Sequence, residues 1–300
     1  SLFLSDVYER QNKMLSNEIY PDQDMADILT EIERLGLTKH VAELDAVGLT
    51  VVEPYEHLDA AFVERLKDVV LDLAKDRLKL TDVAEDLGPN VNFQHNQHYL
   101  YYLLFEHEVF QHAVCHPVVT ALTTYLLGKS CLLYDCVAQV KGRGDTPFQL
   151  HCDNFMQPPP FPPYAQHANA TWALTDYTRA DGGLGFVPGS HKYCRQPKPG
   201  DGMDDVVAVN APAGSLVLWH GHTWHTGLSR ETPGYRANVV NTFCRKYIRP
   251  QEDYGAKVTD ETLANNPPMF TKLMGREFPF GWQSHEEAST MLEEKWMHIW

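Results

Sequence analysis

Three hundred residues with 43% hydrophobic and 11% aromatic content suffice to bury a large core, in one big domain or two small ones. A formal net charge of −15 argues against nonspecific nucleic-acid binding, which needs clustered Lys and Arg to neutralise phosphates, and more weakly against a polyanionic substrate. No run approaches the ~18 apolar residues of a membrane span, Ser1 to Met14 is too polar for a leader, and Cys115, Cys131, Cys136, Cys152, Cys194 and Cys244 form no CxxC pair, so the expectation is a cytoplasmic protein with reduced thiols and no membrane contact.

In chain order, Met25, Ile28, Leu29, Ile32 and Leu35 recur at helical spacing, and Gly36 supplies the stop. Leu49 to Val52 is a short strand-like run closed by Glu53-Pro54, after which Phe62, Leu66, Val69, Val70 and Leu73 mark a second helix. A third, His116 to Leu127, carries Pro117 in its first turn and Gly128 behind it. From Leu132 the texture changes to short apolar or alternating runs divided by Gly, Pro and Asp: Leu132 to Val140, Thr171 to Tyr177, Leu184 to Val187, Val206 to Val209, Ser215 to Trp219 and Arg236 to Ile248. That spacing predicts a sandwich or barrel. Pro158 to Pro163 holds five prolines in six residues, so it must be a loop, either an active-site lid or a surface connection. The simplest architecture is a single domain: a mainly helical support layer over 1–128, a β core over 129–250 and a C-terminal extension over 251–300.

His151-Cys152-Asp153 sets an imidazole and a carboxylate two residues apart, which on extended backbone puts both on one face. A histidine from the segment Gly214 to Arg236, which offers His220, His222 and His225, would complete two nitrogens and one oxygen on one side of a metal. The opposite side would stay open, the arrangement of non-haem Fe(II) oxygenases. Ser190 and His191 lie near Asp181, but nothing marks a strand-to-helix elbow for a nucleophilic serine. Pro188-Gly189 reads as turn chemistry instead.

With these residues in view, the chain resembles the phytanoyl-CoA dioxygenase family. The likeness is carried by the HxD at 151–153, by Trp172 early on the next strand, by GGLGFVPGSHK from Gly182 to Lys192, and by a Gly-led strand ending in His with an Arg beyond. In the family pattern the distal ligand lies eleven residues after the glycine and eleven before the arginine, counts that His225 satisfies from Gly214 and to Arg236. The resemblance implies a mainly β fold with α, a double-stranded β-helix (jelly-roll) core supported by N-terminal helices. It implies Fe(II) on His151, Asp153 and His225, with 2-oxoglutarate and O2 as cosubstrates and succinate and CO2 as products. Arg236 would hold the distal carboxylate of 2-oxoglutarate, a task for a planar fork of donors that Lys lacks, and Trp172 would flank it. Gln139 and Gln149 are further hydrogen-bonding candidates for cosubstrate or substrate. Related halogenases replace the carboxylate of the triad by a small residue, so Asp153 implies hydroxylation. The expected partner is a small organic substrate, a lipid-like acid or natural-product intermediate. Two other readings are a non-catalytic jelly-roll binding module and a cupin-type metalloenzyme that does not use 2-oxoglutarate; survival of all four anchors weighs against the first, and Arg236 against the second.

Overall fold

A computed structural model describes residues 22–79, 97–144, 147–277, 282 and 284–295; the polar stretch Ser1 to Met14 lies outside them. The first helix, Asp22–Arg34, buries Ile28 and Ile32 and leaves Met25 and Leu29 half exposed. A helix not expected from the sequence, Thr38–Val47, follows it and stops at Gly48, whose φ is +84°. A Cβ there would lie 2.5 Å from His191 Nδ1 and 2.4 Å from the Thr223 hydroxyl, so both the left-handed turn and the close approach require glycine. Ala60–Leu78 starts on an Asp59 cap and buries Val63, Leu66, Val70 and Ala74, and Pro117–Leu127 starts on a His116 cap.

The described residues also hold nine strands: β1 (Leu49–Val52), β2 (Gln97–Leu100), β3 (Leu132–Lys141), β4 (His167–Ala173), β5 (Leu184–Phe186), β6 (Val207–Ala208), β7 (Leu216–His220), β8 (His225–Gly227) and β9 (Arg236–Cys244). They form a six-stranded sheet in the order β1-β7-β4-β9-β3-β2 and a three-stranded sheet β6-β5-β8, with every pairing antiparallel. This is the two-sheet arrangement of a jelly roll without a closed barrel. Strand alternation divides the large sheet. Cys136, Ala138, Val140, Ala170, Trp172, Leu216, Leu218 and Val239 join the core shared with the helices, while Val137, Gln139, Thr171, Asn238 and Val240 line a cavity on the other face.

One irregularity decides what that cavity contains. The β3–β9 register shifts between Leu133 and Asp135, a bulge that reverses the facing of the strand. Leu133 therefore packs in the helical core, and Asp135 opens into the cavity. Beyond β9 the chain returns to the sheet through buried Glu252, whose carboxylate accepts from Tyr102 N at 2.7 Å, from Cys136 N at 3.2 Å and from the Tyr254 hydroxyl.

The proline-rich stretch is a loop, as its composition requires, but it does not act as a lid in this conformation. Phe161 is buried against Leu150, Cys152, Val187 and Trp224 and donates its N–H to Cys194 O. No residue of 158–163 lines the cavity, so the segment is a pinned surface connection.

Candidate active site

His151 and His225 face each other across an isolated antiparallel bridge, exchanging backbone hydrogen bonds of 3.0 and 2.8 Å. Residues paired in this way point their side chains to the same side, and the two rings approach to 4.3 Å between centroids. Asp153, two residues on, is fixed by its N–H to Gly221 O at 3.0 Å. Its Oδ1 lies 3.8 Å from His151 Nε2 and 3.7 Å from His225 Nε2. The three ligand atoms fall within 4.8 Å of one another.

Outer hydrogen bonds set the chemistry of these donors. His151 Nδ1 donates to Gln149 O at 2.7 Å and His225 Nδ1 to Thr223 O at 2.9 Å, which places both lone pairs on Nε2, facing Asp153. Burial, helped by the adjacent His225, holds His151 down to about 4, so its ring is neutral near pH 7 as a metal ligand must be. The other Asp153 oxygen, Oδ2, accepts from Asn169 Nδ2 at 2.7 Å and from Trp219 Nε1 at 3.4 Å, and Asn169 Oδ1 in turn accepts from the Thr242 hydroxyl at 2.9 Å. Two imidazoles presenting Nε2 and a carboxylate with one oxygen turned inward fit a first-row divalent metal. Asn169→Ala should weaken Fe(II) binding by ~10–100-fold while leaving all three ligands in place; an unchanged Fe(II) titration would remove Asn169 from that orienting role.

Arg236 opens β9 at the far end of the same cavity, about 390 Å³ in volume. The residue is buried, and its guanidinium lies over the Tyr177 ring and donates to the Tyr177 hydroxyl at 3.3 Å. Across the β3–β9 pair stands Lys141, also buried, with Nζ on Leu228 O at 2.5 Å. Burial, reinforced by Arg236, pushes the lysine down to about 7. The Arg236 guanidinium thus stands at one end of the cavity and the three candidate metal-binding side chains at the other.

Comparison with known proteins accords with this geometry. The sequence profile described as Phytanoyl-CoA dioxygenase (PhyH) matches residues 19–238. The chain belongs to that family. Among curated relatives, Dioxygenase af480 of Aspergillus fumigatus is 28% identical over 161 residues, covering 53% of this chain and 52% of the relative. Dioxygenase FUM3 of Gibberella moniliformis is 27% identical over 176 residues, covering 57% and 56%. The matched stretch spans about half the length of these relatives. Among solved structures, EctD from S. alaskensis with 2-oxoglutarate and 5-hydroxyectoine shares the fold at TM-score 0.58 and 18% identity, covering 71% of this chain and 78% of that one. The epimerase SnoN with Fe3+, alpha ketoglutarate and nogalamycin RO does so at 0.53 and 22%, covering 72% and 84%.

For this PhyH family member the structure sorts the residues singled out by sequence. His151, Asp153, His225, Arg236 and Gln139 all line the one cavity, with Gln139 Oε1 3.4 Å from Asn238 Nδ2. Trp172 does not, and the expectation that it flanks a cosubstrate is corrected. Its indole packs in the helical core against Phe62 and His116, with Nε1 directed at Ala113 O at 3.4 Å. Alternation along β4 gives the cavity to Thr171 and the core to its neighbour. Gln149 is corrected as well: its side chain is exposed and outside the cavity, and it acts through its carbonyl on His151. Ser190 donates to Val187 O and receives Trp224 N–H, while Asp181 is engaged by Arg230, Thr178 and Thr232, so the turn reading of that segment stands. Sequence reasoning missed Asn169, Trp219, Thr242, Tyr177, Lys141 and Asp135.

His220 and His222, the rejected ligand candidates, form a buried cluster with His167 and His191 behind the triad. His222 Nε2 lies 2.6 Å from Asn154 Nδ2 and His167 Nδ1 lies 2.9 Å from Asn154 Oδ1. The amide must donate to the first ring and accept from the second, so His222 is held as a neutral acceptor. Burial, then its histidine neighbours, pushes His220 down to about 2 and His222 down to about 4. In the unfolded chain such rings take up protons below about pH 6.5, whereas the folded protein refuses them until far lower. The unfolded state binds more protons across that window, so stability is intact above pH ~6.5 and falls as pH drops toward 4, by at most about 1.4 kcal/mol per pH unit for each histidine. Urea unfolding of metal-free protein between pH 7 and 5 should show this slope, and His222→Gln should flatten it; equal slopes would refute the cluster's part in acid lability.

Proposed function

We propose that this PhyH family member is an Fe(II)- and 2-oxoglutarate-dependent dioxygenase that hydroxylates a small organic molecule. The observation that carries the reading is the shared cavity: a two-histidine, one-carboxylate donor set and a buried guanidinium open into the same space. A bound iron(II) with 2-oxoglutarate supplies dioxygen activation coupled to decarboxylation, releasing succinate and CO2. The chain's own residues prepare for this. His151 and His225 present their Nε2 atoms, and Asp153 brings the negative charge that the ion requires. Arg236, positioned by Tyr177, would hold the distal carboxylate of the cosubstrate, for which a guanidinium offers a planar fork of donors. Phe148, edge-on to the His151 ring, and Leu184 add apolar wall beside the site.

Retention of Asp153 supports hydroxylation over halogenation, because the carboxylate fills the position a halide would need. The relatives named as dioxygenases and the fold neighbours solved with iron and 2-oxoglutarate support the reaction class. The apolar core that joins the N-terminal helices to the sheet and to Tyr254 and Phe270 supports a single folding unit. No helix among the described residues is long and apolar enough to cross a membrane, and all six cysteines are free, which supports a reducing, cytoplasmic setting.

The test is uncoupled turnover. Purified protein supplied with Fe(II), 2-oxoglutarate and air should release succinate, and omission of iron or oxygen should stop it. Metal-loaded protein that consumes no 2-oxoglutarate would favour a cupin-type metalloenzyme.

A further inference from the structure

The cavity wall holds one charged side chain that the reading above leaves unused. Of the charged residues lining it, His151, Asp153 and His225 face the metal position and Arg236 occupies the far end; Asp135 is the other. It is there because of the bulge at the start of β3, without which Asp135 would share the helix-packed face of Leu133. In register it pairs with Thr242, and Thr242 pairs with Asn169, the residue that steadies Asp153. Arg236 lies six residues farther along β9, roughly 20 Å of strand away. A cosubstrate extended from the metal toward Arg236 therefore runs away from Asp135, which stands at the end left for the primary substrate.

The surroundings of this carboxylate specify what it can receive. The Thr242 hydroxyl donates its only proton to Asn169 Oδ1, whose amide is committed to Asp153. Thr242 also approaches Asp135 with its hydroxyl and its backbone N–H, but the hydroxyl's single proton is already given to Asn169, so the N–H is the donor left for a carboxylate with about four acceptor sites. Desolvation of this half-buried side chain, with smaller effects of the same sign from Glu252 and Asp153, raises the Asp135 carboxyl to about 7, so its ionised form is costly alone and an incoming donor would favour it. Among the described residues no cationic side chain other than Arg236 lines the cavity, so a substrate carboxylate at this end would meet repulsion without compensation. The rest of this end is mostly apolar or aromatic: Val137 and Val240, the stacked pair Tyr99 and Tyr101 with centroids 5.7 Å apart, and Phe155 lying nearly parallel to the His151 ring, with exposed Gln251 as a further polar side chain.

We propose that Asp135 is the specificity determinant of this enzyme, anchoring a hydroxyl or amine on an otherwise apolar substrate and rejecting free carboxylic acids. The inference rests on the functional reading above and narrows it, away from acids and acyl thioesters with their phosphates and toward neutral or basic molecules.

Matched probes test it. Cyclohexylmethylamine, cyclohexylmethanol and cyclohexanecarboxylate share a body and differ in the group offered to Asp135. Calorimetric titration into the anaerobic protein with Fe(II) and 2-oxoglutarate should show the amine and alcohol binding about tenfold or more tightly than the carboxylate, as expected for hydrogen bonds to a charged partner. Asp135→Asn, which keeps the shape and can still bond Thr242, should abolish the advantage of the amine while retaining that of the alcohol. Asp135→Ala should abolish both. Equal affinity for amine and carboxylate in the wild type, an unchanged preference in Asp135→Asn, or no binding of amine and alcohol at all would each overturn the assignment. The calorimetric ratio is read independently of 2-oxoglutarate turnover, so loss of succinate release with an intact preference would count against the dioxygenase reading and leave Asp135 in place.

Discussion

Asp153→Ala should yield a folded protein that neither retains Fe(II) through desalting nor forms succinate. Asp153 is the anion of the triad, and without it two imidazoles face a doubly charged ion. The substitution also takes the acceptor from Asn169 Nδ2 and Trp219 Nε1, so the polar groups that aimed the carboxylate lose their partner. The fall in metal affinity should exceed the ~10–100-fold that follows loss of an outer hydrogen-bond partner alone. Iron retention is measured colorimetrically and succinate by chromatography. Turnover surviving in the variant would mean that another carboxylate serves the metal, and Asp135 in the same cavity would be the first to examine.

Arg236→Ala should spare iron binding and raise the concentration of 2-oxoglutarate needed for half-maximal succinate release by roughly a hundredfold, equivalent to about 3 kcal/mol for removing one partner of a buried, hydrogen-bonded charge pair. Arg236→Lys should recover only part of this, since an ammonium cannot reproduce the two parallel hydrogen bonds of a guanidinium. The two substitutions thus separate the halves of the cavity: one abolishes the metal centre, the other weakens the cosubstrate end. An unchanged requirement in Arg236→Ala would place the carboxylate anchor elsewhere, with Lys141, its partner across the β3–β9 pair, the next residue to test.

Most of the architecture and the three residues that converge as a candidate metal site were legible in the sequence, for identifiable reasons. The helices at Asp22–Arg34 and Pro117–Leu127 carry periodic apolar faces or explicit Pro and Gly punctuation, and the spacing from Gly214 through His225 to Arg236 singles out one histidine among three. Trp172 went astray because side-chain facing is a property of register, which the sequence of β4 conceals, and Gln149 because it lies outside any strand, on the exposed approach to His151. All seven residues of HANATWA are buried, so no polar-out alternation marks where the strand begins or which parity meets the cavity. The expected strand began at Thr171, four residues late, and thereby hid Asn169. The facing of Asp135 depends on a bulge that forms between two strands about a hundred residues apart, and Glu252 finds its partners at Tyr102 and Cys136 only after the C-terminal segment has folded back. Neither has a local signature.

The most direct test of the central claim is anaerobic addition of 2-oxoglutarate to the Fe(II)-loaded protein, followed by visible absorption. Chelation of the cosubstrate by iron on His151, Asp153 and His225 should produce a metal-to-ligand charge-transfer band that saturates at one equivalent and is absent from Asp153→Ala. Stoichiometric iron with no such band would contradict the account.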